Sequence, residues 1–129
     1  MTHNAMIDAL FSDSSYVASK KLLDATALRH EALASNIANI ETPGYQRVDL
    51  PKNFAEEFAT HFSDGTVGQM ATPSLEVDTE SQAQRADGNN VDMDKELLSM
   101  SSNTLQYNTL TEFVSNSLKQ LKVAITGQV

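Results

Sequence analysis

The chain has 129 residues, enough for one domain, with no Cys, no Trp and only 6% aromatic residues, so a large globular core is not expected. A net charge of −8 argues against nucleic acid or an anionic membrane surface as partner, and the lack of Cys excludes disulfides, zinc-thiolate sites and Cys catalysis. No apolar run reaches the length of a bilayer span, and Met1–Ile7 has neither the basic flank nor the apolar core of a secretory signal. Any exit from the cytoplasm is therefore expected to use a route without signal cleavage.

Residues 1–13 read as a flexible N-terminal tail. Ser14 or Ser15 is placed to cap a helix running through residues 14–41, and Leu23, Ala27, His30, Ala34 and Ile37 follow the 4-3-4-3 spacing of a coiled-coil seam. Opposite them lies a weaker apolar strip of Ala25, Leu28 and Ala32. Pro43 cannot donate a backbone hydrogen bond and drives Thr42 into an extended conformation, so the helix must end before it. Thr42-Pro43-Gly44-Tyr45 has the residue order of a type II turn, with Gly44 where φ must be positive.

Residues 42–90 change character, and residues 41–90 hold nine acids against three basic residues, −6 of the total charge. Phe54, Phe58 and Phe62 predict a short amphipathic helix after Pro51, its rings docking it onto the long helices rather than lining a ligand pocket. From Ser63 to Ala86 the glycines and Pro73 predict an irregular, solvated segment, with Leu75–Val77 a candidate extended stretch.

Asp87-Gly88-Asn89-Asn90 is a turn cluster, after which Asp92 is placed to cap a second long helix over residues 91–129, with Asp94 and Glu96 in its first turn and Gly127 as its stop. Its predicted seam is Met93, Leu97, Met100, Thr104, Tyr107, Thr111, Val114, Leu118, Leu121 and Ile125. Between Leu97 and Leu118 the only charged residue is Glu112, and twelve of the twenty-two residues are Ser, Thr, Asn or Gln. A helix facing water usually carries Glu and Lys on its outer side. Here that side holds Leu98, Ser102, Leu105, Thr109 and Asn116, which together with Leu28 form a candidate subunit interface; the competing reading is a merely polar exposed face. The fold class expected is thus mainly α, two long terminal helices in an antiparallel coiled-coil-like hairpin with an irregular middle and one short helix.

Constellations that carry chemistry are missing from the pattern. His3, His30 and His61 lack metal-ligand spacing, no Ser lies in a Gly-x-Ser-x-Gly elbow, and Gly65–Gly68 lacks the Gly-Lys ending of a phosphate loop. Neither an enzyme nor a cofactor is expected.

Two stretches resemble a known family. The run Asn36-Ile37-Ala38-Asn39-Ile40-Glu41-Thr42-Pro43-Gly44-Tyr45 is similar to the signature of the bacterial flagellar axial proteins, the rod, hook and hook-associated subunits. Asp87-Gly88-Asn89-Asn90-Val91-Asp92-Met93-Asp94, continued by Asn103-x-Leu105-x-Tyr107, narrows the likeness to its small proximal-rod members. The resemblance covers both terminal helices and hardly touches the middle. It implies a structural subunit exported through the flagellar type III apparatus and assembling helically in the periplasmic rod. Its implied partners are other rod subunits and copies of itself, with the rod adaptor and export gate at the rod base. A soluble coiled-coil adaptor or export chaperone would use the same seam without polymerising.

Overall fold

A computed structural model describes residues 5, 13–83 and 85–127. The chain is mainly helical, and two long helices dominate it: α1 (Ser14–Ala38) and α3 (Met93–Thr126). With 25 and 34 residues they extend roughly 37 and 51 Å. They run antiparallel, Asn36 meeting Glu96, Thr26 meeting Asn103, and Tyr16 lying near Phe113 and Leu121. Most of the expected tail, residues 1–12, lies outside the described residues apart from Ala5.

The helix ends follow from their caps. Asp13, one residue before the expected serines, caps α1 by accepting from Ser15 N at 2.9 Å, and its charge suits a helix N-terminus. Asp92 caps α3 by accepting from the backbone N–H groups of Asp94 and Lys95. Gly127 stops it at φ +67°, its N–H on Val123 O at 2.7 Å.

The strip that α1 buries is not the predicted seam. Ala27, His30 and Ala34 are exposed and Leu23 and Ile37 half-buried, whereas Ala18, Ala25, Ala32, Leu33, Thr26 and Asn36 are buried. Ala18, Ala25 and Ala32 recur every seven residues, so the weaker strip is the more deeply buried one; α1 is covered by α3, by the strand Val48–Asp49 and by the Val67–Gln69 turn. Small side chains let two helix backbones approach closely, although they add little to an apolar pattern. On α3 the seam turns by part of a turn: Met100, Val114 and Leu121 are half-buried as expected. Met93, Leu97, Thr104, Tyr107, Thr111, Leu118 and Ile125 are exposed, and Glu96, Asn103, Leu110, Ser117 and Ala124 take the alternate contact positions. Polar residues on this face carry their own hydrogen bonds, which apolar spacing cannot register.

Between the long helices, strand β1 (Val48–Asp49) pairs antiparallel with β2 (Glu76–Val77), Val48 opposite Val77. Helix α2 (Phe54–Ser63) carries Phe54, Phe58 and Phe62 with ring centroids 6.1 and 6.5 Å apart. It buries none of its residues; the piece seated on α1 is instead the 3-10 turn Val67–Gln69 with Met70. Val67 and Met70 are buried, Lys21 donates to Met70 O at 2.7 Å, and Gly68 lies against Val17. The irregular segment expected to be solvated over residues 63–86 is buried at these two residues, and in the turn cluster that follows Asn89 and Asn90 are buried as well. No helix among the described residues is long and apolar enough to cross a membrane.

Candidate functional site: a polar clamp and an uncharged outer face

The two stretches singled out in the sequence meet in space, and polar side chains join them. Thr42-Pro43-Gly44-Tyr45 forms the expected turn, with Gly44 at φ +72° and Tyr45 N on Thr42 O at 3.2 Å. Gly44 N then donates to Asp87 O at 2.9 Å, which brings the second stretch alongside. Asn89 is fully buried and its amide nitrogen serves three carbonyls at the end of α1, Asn39 O, Ile40 O and Thr42 O, at 2.9, 3.0 and 2.9 Å. Asn39 O and Thr42 O also accept from the backbone N–H groups of Thr42 and Tyr45, so Asn89 ties down the turn that follows the helix. The Arg85 guanidinium also donates to Ile40 O, placing a cation where the helix dipole favours it.

Asn36 is the hub. Its side chain is fully buried and pairs with the backbone of Val48 as a neighbouring strand would, accepting from Val48 N and donating to Val48 O, both at 2.8 Å. Tyr45 OH donates to the same Asn36 oxygen at 3.1 Å, and Asn36 Nδ2 reaches Glu96 Oε2 at 3.2 Å. Asn39, the cap of α1, donates to Ser35 O and accepts from Thr42 Oγ1. Asn36, Asn39, Thr42 and Tyr45 are thus tied to one another, to the end of α1 or to Val48.

Arg47 sits behind this hub and was not singled out in the sequence. Its guanidinium joins three carboxylates, Glu96 of α3 at 2.7 Å, Asp78 just past β2 at 2.5 Å and Asp49 of β1 at 3.1 Å. Arg29 of α1 reaches the other oxygen of Asp49 at 3.2 Å. Burial pulls the Arg47 pKa down, but hydrogen bonds to Glu96 and Asp78 and the nearby Glu96 charge outweigh it, so the pKa stands above its ordinary value. For Asp78, burial raises the pKa, but hydrogen bonds from Ser81 and Arg47 outweigh that and hold it well below the usual carboxylate range. Asn90 closes the arrangement by accepting from Arg47 N at 2.7 Å and donating to Ser81 O at 3.0 Å.

This clamp fastens; it does not present reacting groups. Its carboxylates are engaged by guanidinium, amide and hydroxyl donors from within the chain. Among the described residues no cluster of three or more His, Cys, Asp or Glu side chains is arranged for a metal ion. His61 bonds Thr66 Oγ1 at 2.8 Å and His30 lies exposed on α1; His3 is outside the described residues.

Away from the clamp, the outer side of α3 is open. Leu98 is 72% and Leu105 69% exposed, and Ser102, Thr109 and Asn116 are exposed between and beyond them. Leu28 on α1 is half-buried and belongs to the neighbourhood of the buried strip rather than to this face. The exposed seam residues of the two helices adjoin on one flank of the hairpin, where Ala27 and His30 lie across from Thr104 and Tyr107.

Comparison with known proteins gives a consistent answer. A family described as flagella basal body rod protein matches residues 23–46, which end inside the clamp. The flagellar basal body rod protein FlgB of Aeromonas hydrophila is 31% identical over 130 residues, covering 93% of this chain and 98% of that protein. The corresponding FlgB of Escherichia coli strain K12 is 31% identical over 88% of this chain and 93% of its own. That of Salmonella typhimurium strain LT2 is 30% identical over 95% of this chain and 99% of its own.

Proposed function

This chain belongs to the FlgB family of flagellar basal body rod proteins, and on that premise we propose that it stands at the proximal end of the rod as a wall element of the export channel. The family makes it a structural subunit of the rod, assembling with other rod components, and does not favour a non-polymerising adaptor or chaperone. The subunit leaves the cytoplasm through the flagellar export apparatus without signal cleavage. It contacts the rod adaptor and export gate below, and other rod subunits above, in the periplasm.

The observation that carries this reading is the outer face of α3. Leu98 and Leu105 stand exposed amid Ser102, Thr109 and Asn116, with Glu112 the only charge between Leu97 and Leu118. Exposed leucines on an otherwise neutral helix suit a surface that other helices cover. Replacing Ser102, Thr109 and Asn116 with Lys tests it. Lys is a good helix former and harmless in water, but buried against a neighbour without a counter-charge it costs several kcal/mol, on the order expected for an unpaired buried ion. The triple variant is expected to be as helical as the parent and still exported, yet absent from basal bodies. A control with Lys at the exposed Ala55, Ala59 and Thr72 is expected to assemble. Normal incorporation of the Ser102/Thr109/Asn116 variant would show that the face stays in water.

A further inference from the structure

The flank of the hairpin beside the outer face holds a second feature of the same neutral character. Ala27 and His30 of α1 and Asn103, Thr104 and Tyr107 of α3 line a dimple of about 260 Å³. A cavity of about 150 Å³ already accommodates a benzene-sized group, so the dimple has room for a leucine side chain. No carboxylate, Lys or Arg lines it. Its residues Ala27, His30, Thr104 and Tyr107 belong to the two 4-3 seams that the single chain leaves exposed. Asn103, buried beneath them, donates to Thr26 O at 2.8 Å, while its Oδ1 is buried with no hydrogen-bond partner.

We propose that this dimple receives the Leu98–Leu105 ridge of a second copy of the same chain, an inference that rests on the rod assignment and names one contact within it. Charge selects the occupant. Two copies of a chain of net charge −8 repel wherever their acidic middles meet, and nine of the acids lie in residues 41–90. The ridge and the dimple are both free of carboxylates, so they allow two copies to touch without bringing like charges together. Ser102, between the two leucines, brings a hydroxyl donor to the neighbourhood of Asn103, whose oxygen lacks one. Ridge and dimple are different patches of one surface, so the contact is head-to-tail and leaves each copy with a free ridge or a free dimple. Such a contact propagates into a helical array instead of closing as a two-fold dimer.

The chain has no cysteine, which makes the test clean. Ala27→Cys and Leu105→Cys, both at exposed positions, are co-expressed as separate copies in flagellated cells, and purified basal bodies are treated with a short bismaleimide. The expected result is a dimer of this chain several-fold above the level given by either variant alone. Dimers from one variant alone would indicate a symmetric contact and overturn the proposal. So would incorporated copies that do not cross-link, or that cross-link only to a different protein. If either variant is excluded from basal bodies, Thr104→Cys and Leu98→Cys replace the pair and the same outcomes decide. Presence of the parent chain in basal bodies is scored separately. Its absence removes the rod assignment, whereas uncross-linked but incorporated variants remove only this contact.

Discussion

Around Asn36 and Glu96 the two long helices are joined by buried polar side chains that bond within the chain; toward the other end α3 is far more exposed. At the first end Asn36, Asn89 and Glu96 are at most 2% exposed, and Arg47 ties together Asp49, Asp78 and Glu96. At the second, Phe113, Leu118 and Ile125 are 45, 45 and 48% exposed, and α3 outruns the start of α1. The difference teaches which contacts the subunit completes alone. The clamp end satisfies its hydrogen bonds internally and fixes how the middle segment leaves the helices. The open end leaves much apolar area of α3 exposed among the described residues, and we predict that neighbours supply much of its stability.

Breaking the clamp should have the largest effect on the isolated subunit. Arg47→Ala leaves Glu96 and Asp78 buried without their counter-charge, and removing one partner of a buried pair costs about 3 kcal/mol. Urea unfolding followed by circular dichroism is expected to show the transition moving to much lower denaturant. An unchanged midpoint would mean the clamp is not what holds this end.

A smaller loss is expected from Gly44→Val. A Cβ at Gly44 meets no atom within 4 Å, so the cost is that of a β-branched residue at φ +72°, about 2 kcal/mol. Both long helices should persist, the Gly44–Asp87 hydrogen bond should weaken, and rod incorporation should fall while export continues. Normal motility of Gly44→Val cells would show that the turn tolerates another conformation.

Acid should loosen the clamp before it affects the open end, where α3 carries no carboxylate from Phe113 to Thr126. The Asp78 pKa is lowered in the folded chain, so its contribution is full above the unfolded value of about 3.9 and is lost as pH falls toward the folded one. Arg47 has the opposite sign, its contribution being lost only as pH rises through the guanidinium range, far above neutrality. Stability should therefore decline below about pH 4, and Asp78→Asn should flatten that decline. An equally steep decline in the variant would assign the acid sensitivity to other carboxylates.

The two ends also differ in how well the sequence announces them. The helices, the type II turn at Gly44, the Phe helix and the Asp92 cap follow from local rules, because capping and φ preferences act over a few residues. The clamp does not. Arg47, Asp78 and Glu96 are charged residues that look solvated in any periodic reading, and only the fold brings the two carboxylates within 3 Å of the guanidinium. Burial departs from the apolar spacing for the same reason: Ala18, Ala25 and Ala32 carry little apolar weight yet are buried, while Leu97, Leu118 and Ile125 carry much and remain exposed. What apolar spacing found on α3 is, in part, a surface that stays exposed in the single chain. The Asn36–Tyr45 and Asp87–Asp94 stretches were the usable signal for the clamp, since each proved to be half of one polar contact.

Hydrogen exchange on the isolated subunit and on the same chain in purified basal bodies tests the contrast between the two ends most directly. In the isolated subunit, the amides of Val48, Val91 and the first turns of α3 should exchange slowly, and those from Phe113 to Thr126 much faster. In basal bodies the second group should become as protected as the first. Equal protection along the whole of α3 in the isolated subunit would contradict the account, because the open end would then need no neighbour.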